Sequence, residues 1–167
     1  MLEQLEVVLE QLAQSDYALW VQQSWGWAGA LTLHAYGTAT ILGFITIMAL
    51  RLFGLFPKIP FTALRSLVPF IWVAFLVQFL SGSTLWLTKP FSYLRDGMFA
   101  VKLAFIIISV VVMVLFQTML KREAAGWDAA GTPSPKGVKV AAAICVLWAC
   151  VVIGGRLTAY LGTLYPV

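Results

Sequence analysis

A chain of 167 residues that is 61% hydrophobic and 11% charged departs widely from a soluble domain, in which roughly a quarter of residues are charged. Its formal charge of +4 sits in short loops between apolar runs, which is the positive-inside bias of a membrane protein and requires no nucleic acid. Soluble-enzyme chemistry is set aside with it: the sequence has no phosphate-cradling glycine loop at a strand-to-helix junction, no carboxylate pair inside an apolar run and no Cys/His cluster at metal-ligand spacing.

Residues 1–22 form the first predicted element. Leu2, Leu5, Val8, Leu9 and Leu12 recur at helical spacing while Glu3, Glu6 and Glu10 take other positions, the pattern of an amphipathic helix lying in the membrane interface. The acidic start is unlike a secretory signal, which needs a basic start and an immediate apolar core. It also disfavours an anionic lipid surface, because like charges repel. Such a helix either rests on the headgroups and packs on the rest of the protein, or presents a docking surface to another subunit.

Residues 23–167 contain four runs long enough to cross a hydrocarbon layer of about 30 Å, which takes about 20 apolar residues. They lie near 27–50, 66–88, 98–120 and 139–162. The predicted fold is all-α, an integral membrane four-helix bundle with an amino-terminal amphipathic interfacial helix and no separate soluble domain. Arg51, Lys58 and Arg65 fall in the first loop, and Lys121, Arg122, Lys136 and Lys139 in the third, whereas the second has only Lys89 and Arg95. That bias puts loops one and three in the cytoplasm, with loop two and both termini on the outer side. Loop three, KREAAGWDAAGTPSPKG, reads as a polar linker broken by Gly and Pro. Cys145 and Cys150, five apart, do not share a helix face and read as small core residues.

This orientation gives each intramembrane polar residue a depth. His34, the single histidine, lies roughly 10 Å inside the outer end of the first span at about 1.5 Å per residue. Gln78 and the run Ser81, Gly82, Ser83 and Thr84 occupy the outer half of the second span. Lys102 falls in the first turns of the third, and Arg156 and Tyr160 stack in the last two turns of the fourth. A charge inside a membrane costs at least ~2.5 kcal/mol and usually finds a partner, yet Asp and Glu are absent from all four spans. Two cations beside a neutral imidazole point to a ligand with negative charge or carbonyls. Haem b fits with iron on His34 and propionates on Lys102 and Arg156. Quinone fits with His34, Tyr160, Lys102 or Gln78 on its carbonyls, and phospholipid headgroups fit as well. Taken singly, Lys102 and Arg156 also read as snorkelling side chains, His34 as a hydrogen bond between helices, and Tyr160, Trp25, Trp27 and Trp86 as an aromatic belt. Ala30, Gly37 and Thr38, three or four positions from His34, leave room for a close helix contact or a flat ligand. One histidine excludes a pair of bis-histidine haems within one chain.

The patterns LHAYG and ALRLFG, LVPFIWVAF and LSGSTLW, PFSYLRDGMFAVKLAF, and GGRLTAY follow one another in that order over about residues 25–162. In this the sequence resembles a family of small, uncharacterised four-helix bacterial integral membrane proteins. The placing of His34 and Lys102 is also similar to small haem-binding membrane proteins of the protoporphyrinogen-oxidase and copper-resistance D types. The first resemblance implies a multi-pass protein of the bacterial inner membrane, and the second implies haem. The functional expectation is a haem- or quinone-binding protein in electron transfer. The alternative is a structural or assembly subunit of a larger respiratory-type complex, working with other membrane subunits or further copies of itself. A transporter is disfavoured by the lack of an internal repeat or interrupted half-helices.

Overall fold

In hydrocarbon every backbone N–H and C=O has to be satisfied within its own segment, so apolar runs of this length fold as helices. The computed structural model describes residues 2–164, with side chains described for Gln4 and residues 6–158. Its element order is α1 (Leu2–Ala13), α2 (Asp16–Gln23), α3 (Gly26–Leu52), a 3-10 turn (Phe61–Leu67), α4 (Val68–Thr88), α5 (Pro90–Arg95), α6 (Gly97–Ala130) and α7 (Pro135–Leu164). Four of these stretches, Gly26–Leu52, Phe61–Thr88, Gly97–Ala130 and Pro135–Thr158, are long and apolar enough to cross a membrane. Their exposed faces carry large apolar side chains such as Phe70, Phe79, Ile107 and Val146, which suit lipid contact.

The helix boundaries follow from local chemistry. Pro69 sits in the first turn of α4, where a missing N–H costs nothing. Asp96 caps α6 by accepting from the Met98 N–H at 2.8 Å. Gly131 ends the same helix at φ +73°, a left-handed conformation that favours glycine. Ser134 caps the start of α7 through the Gly137 N–H.

Two predicted boundaries change. The helix that carries the third run does not end near 120: α6 continues to Ala130, so KREAAGWDAA of the expected linker is helix. Ala124 and Trp127 on this extension are buried, and that packing outweighs the cost of about 1 kcal/mol for Gly126 within a helix. The predicted amino-terminal helix is two helices, Leu2–Ala13 and Asp16–Gln23. Ser15 breaks them, its hydroxyl donating to the Leu12 carbonyl at 2.7 Å while accepting from the Ala18 N–H.

The packing order follows two hairpins. α3 packs along α4, α6 packs along α7, and α3 joins the pairs by packing against α7. The 3-10 turn seats on α6, closing the end at which α3 finishes; this is termed the arginine end below. The opposite end, where α3 and α6 begin, is the histidine end. There α1 and α2 lie against α4 and α5, with Leu9, Ala18 and Val21 buried. Tyr17 hydrogen-bonds Thr84, and the Gln22 amide donates to the Thr88 carbonyl. The main core, including Ile41, Met48, Phe61, Phe116 and Leu120, runs from the middle of the long helices to the arginine end.

Candidate functional site: the polar half of the histidine end

His34 on α3 faces α4 and is half-buried. Its Nδ1 lies 3.2 Å from Ser81 Oγ and its Nε2 2.9 Å from Gln78 Nε2. Thr38, one turn along from His34, donates to the Gln78 amide oxygen at 3.0 Å and to the His34 carbonyl at 2.9 Å. With the Gln78 amide nitrogen on the ring, the imidazole proton sits on Nδ1 and is shared with Ser81. Turning the amide over moves the proton to Nε2. Both ring nitrogens are engaged in either arrangement.

Glycines make this closeness possible. A Cβ on Gly82 would lie 3.0 Å from the His34 ring, and one on Gly37 would lie 2.9 Å from the Gln78 side-chain oxygen and 3.1 Å from the Ala74 carbonyl. Small residues at helix interfaces let polar side chains reach across. Lys102 packs more loosely: its stem lies over Gly154 and Gly155 of α7, where an added Cβ would make only ordinary van der Waals contact. Cβ atoms there would meet Lys102 Cβ at 3.4 Å and Cε at 3.5 Å. Lys102 is half-buried, is within electrostatic reach of the His34 ring, and donates no hydrogen bond among the described residues.

The structure therefore pairs His34 with Gln78 and adds Ser81 and Thr38 as hydrogen-bonding partners, with Lys102 packed separately on α7 at electrostatic range of the ring. Arg156 is exposed on α7 and makes no hydrogen bond or ion pair among the described residues. The Tyr160 side chain lies outside the described residues. Trp25 is 88% exposed, as an interfacial tryptophan is, while Trp27 and Trp86 are half-buried. Cys145 and Cys150 are free thiols.

The geometry bears on which ligands the residues suit. An iron–imidazole bond needs a ring lone pair aimed at open space, but both nitrogens of His34 are spent on Ser81 and Gln78. As placed, His34 does not fit haem b. The unspent group is the Lys102 ammonium, three donors with no acceptor.

A second cross-helix contact escaped the sequence reading. The Trp72 indole donates to Gln117 Oε1 at 3.1 Å, tying α4 to α6. A Gln at mid-span and a Trp on a neighbouring helix were the available signals. Trp148 Nε1, by contrast, is buried without a partner. No family model, curated protein or solved structure matches the chain, so its functional reading rests on this site.

Proposed function

We propose that the chain is a multi-pass protein of the bacterial inner membrane, a four-helix bundle with both termini periplasmic, that binds a quinone of an electron-transfer chain at the histidine end. The observation that carries this reading is Lys102, a half-buried ammonium between apolar helices with no acceptor among the described residues. A cation at that depth needs a partner, and residues 27–50, 66–88, 98–120 and 139–162 contain no carboxylate. A quinone carbonyl gains negative charge as the ring is reduced, which is the change a fixed ammonium stabilises most. Gln78 and His34 supply a second set of hydrogen-bonding groups nearby. Arg156, being exposed, suits a lipid phosphate better than the quinone.

The test is photolabelling of the purified full chain with an azido-quinone, together with extraction and measurement of bound quinone. Label on peptides containing Lys102 or His34, lost in Lys102→Met with helicity intact, is the expected result. A protein without quinone or label, or a Lys102→Met variant that keeps both, overturns the reading. A Soret band in the reduced spectrum that disappears in His34→Ala returns the site to haem.

One observation favours the alternative of a subunit of a larger membrane complex. The outer face of α1 and α2 exposes Val7, Val8, Tyr17 and Trp20 beside acidic residues, a surface suited to another subunit or to a second copy. Co-purification of a stoichiometric membrane partner that is lost in Trp20→Glu supports it, and a monomer in mild detergent opposes it.

A further inference from the structure

The arginine end carries a cavity of about 430 Å³ that the quinone reading does not use. Arg51, Lys58, Asp128 and Thr132 line it, together with glycines and prolines of the two connecting segments. Gly54 at φ +98° and Gly131 at φ +73° turn the backbone there in a conformation that disfavours a side chain.

Arg51 is the unusual member. It is 7% exposed, yet the single ion pair among the described residues is Arg95–Glu6 at the other end. Its guanidinium carbon sits 3.7 Å above the centre of the Phe61 ring, and its Nε donates to the Ile59 carbonyl. Those contacts fix the plane of the guanidinium and leave both terminal nitrogens without an acceptor among the described residues. Neither nitrogen is among the sealed, unpartnered atoms, so both remain reachable from the cavity they line.

The neighbouring carboxylate does not use them. Asp128 accepts the backbone N–H groups of Phe61 and Thr62, one on each oxygen, and although its negative charge acts on Arg51 it forms no ion pair with the guanidinium. A planar fork of N–H donors held in place by a ring, with a mobile ammonium and a hydroxyl beside it, is the donor set that binds tetrahedral oxyanions.

We propose that this cavity binds a phosphate group, with the Arg51 fork on two of its oxygens and Lys58 supplying the second positive charge. The group is either the phosphodiester of an anionic lipid headgroup reached from the adjacent leaflet or a phosphate on a soluble molecule.

The purified full chain separates these sources. Its thermal unfolding is followed with inorganic phosphate against chloride at equal ionic strength, and its retention of phosphatidylglycerol against phosphatidylcholine is followed by native mass spectrometry. Arg51→Lys keeps the charge but not the fork, and Lys58→Glu changes an exposed residue without touching the core. Each is expected to weaken binding about tenfold. Retention of phosphatidylglycerol alone identifies a headgroup site, whereas stabilisation by inorganic phosphate as well identifies a site for soluble phosphates. No preference for phosphate over chloride or for phosphatidylglycerol over phosphatidylcholine, or equal binding by wild type and both variants, overturns the proposal.

Discussion

Polar side chains at the two ends of the molecule are satisfied in different ways. At the arginine end they hold backbone: Arg51 donates to the Ile59 carbonyl, Arg65 to the Leu120 and Lys121 carbonyls, and Asp128 accepts from Phe61 and Thr62. At the histidine end His34, Gln78, Thr38 and Ser81 also hold one another across α3 and α4, while the Thr38 and Ser81 hydroxyls donate to carbonyls of their own helices. The difference follows from where the helices stop. The chain leaves α3 at Leu52 and re-enters regular structure at Phe61, and the backbone groups between need partners. Mid-helix at the histidine end the backbone is already paired, so polar side chains there are free for each other or for a ligand. Polar residues at the arginine end fold the loop, while those at the histidine end tie α3 to α4.

The largest effect is expected where side chains hold backbone. Asp128→Ala strands the Phe61 and Thr62 N–H groups by removing two charge-assisted hydrogen bonds, which are stronger than neutral ones. The variant should unfold at lower temperature in detergent, and protease should cut earlier within residues 53–60. Asp128→Asn, which retains an acceptor, should lose about half as much. An Asp128→Ala protein as stable and as protease-resistant as wild type would remove the basis of the contrast.

A glycine pair on α3 sharpens the same comparison. At Gly37 an added Cβ meets the Gln78 side chain and the Ala74 backbone, whereas at Gly43 it meets nothing within 4 Å. Gly37→Ala is therefore expected to cost about 1–3 kcal/mol through overpacking. Gly43→Ala should gain up to about 1 kcal/mol from helix propensity. Thermal unfolding of the two variants checks the sign as well as the size. If both behave alike, the close contact of α3 with α4 at Gln78 is absent.

Much of this architecture is legible in the sequence, because lipid leaves few choices. The four apolar runs and their order follow from length and composition. What stays hidden is rotation and register. Nothing local to LTLHAYG says that its ring meets Gln78 and Ser81, since that pairing depends on how α3 is turned against α4. Nor does the pair Gly154–Gly155 announce that it seats a lysine from α6. Asp128 is missed for another reason: in a polar stretch containing Gly126 an acidic residue reads as solvated, and only the extension of α6 carries its carboxylate onto the 3-10 turn. Ser15, which divides the amino-terminal helix, is a capping residue whose signal is masked by the amphipathic pattern running through it.

The smallest effect tests the histidine end itself. His34→Ala, Gln78→Ala and the double variant form a cycle whose coupling isolates the imidazole–amide contact from the losses each substitution causes alone. Hydrogen bonds between membrane helices average about 0.6 kcal/mol and rarely exceed about 1.7 kcal/mol, so the coupling should fall in that range in ligand-free protein. The low value is consistent with a site: a contact this weak is surrendered readily when a ligand carbonyl competes for the Gln78 amide. Repeating the cycle with bound quinone should then bring the coupling towards zero, because ring and amide turn from each other to the ligand. A coupling that stays at its ligand-free value while quinone is bound would place the ligand away from this pair, and His34 would be a tie between α3 and α4 alone.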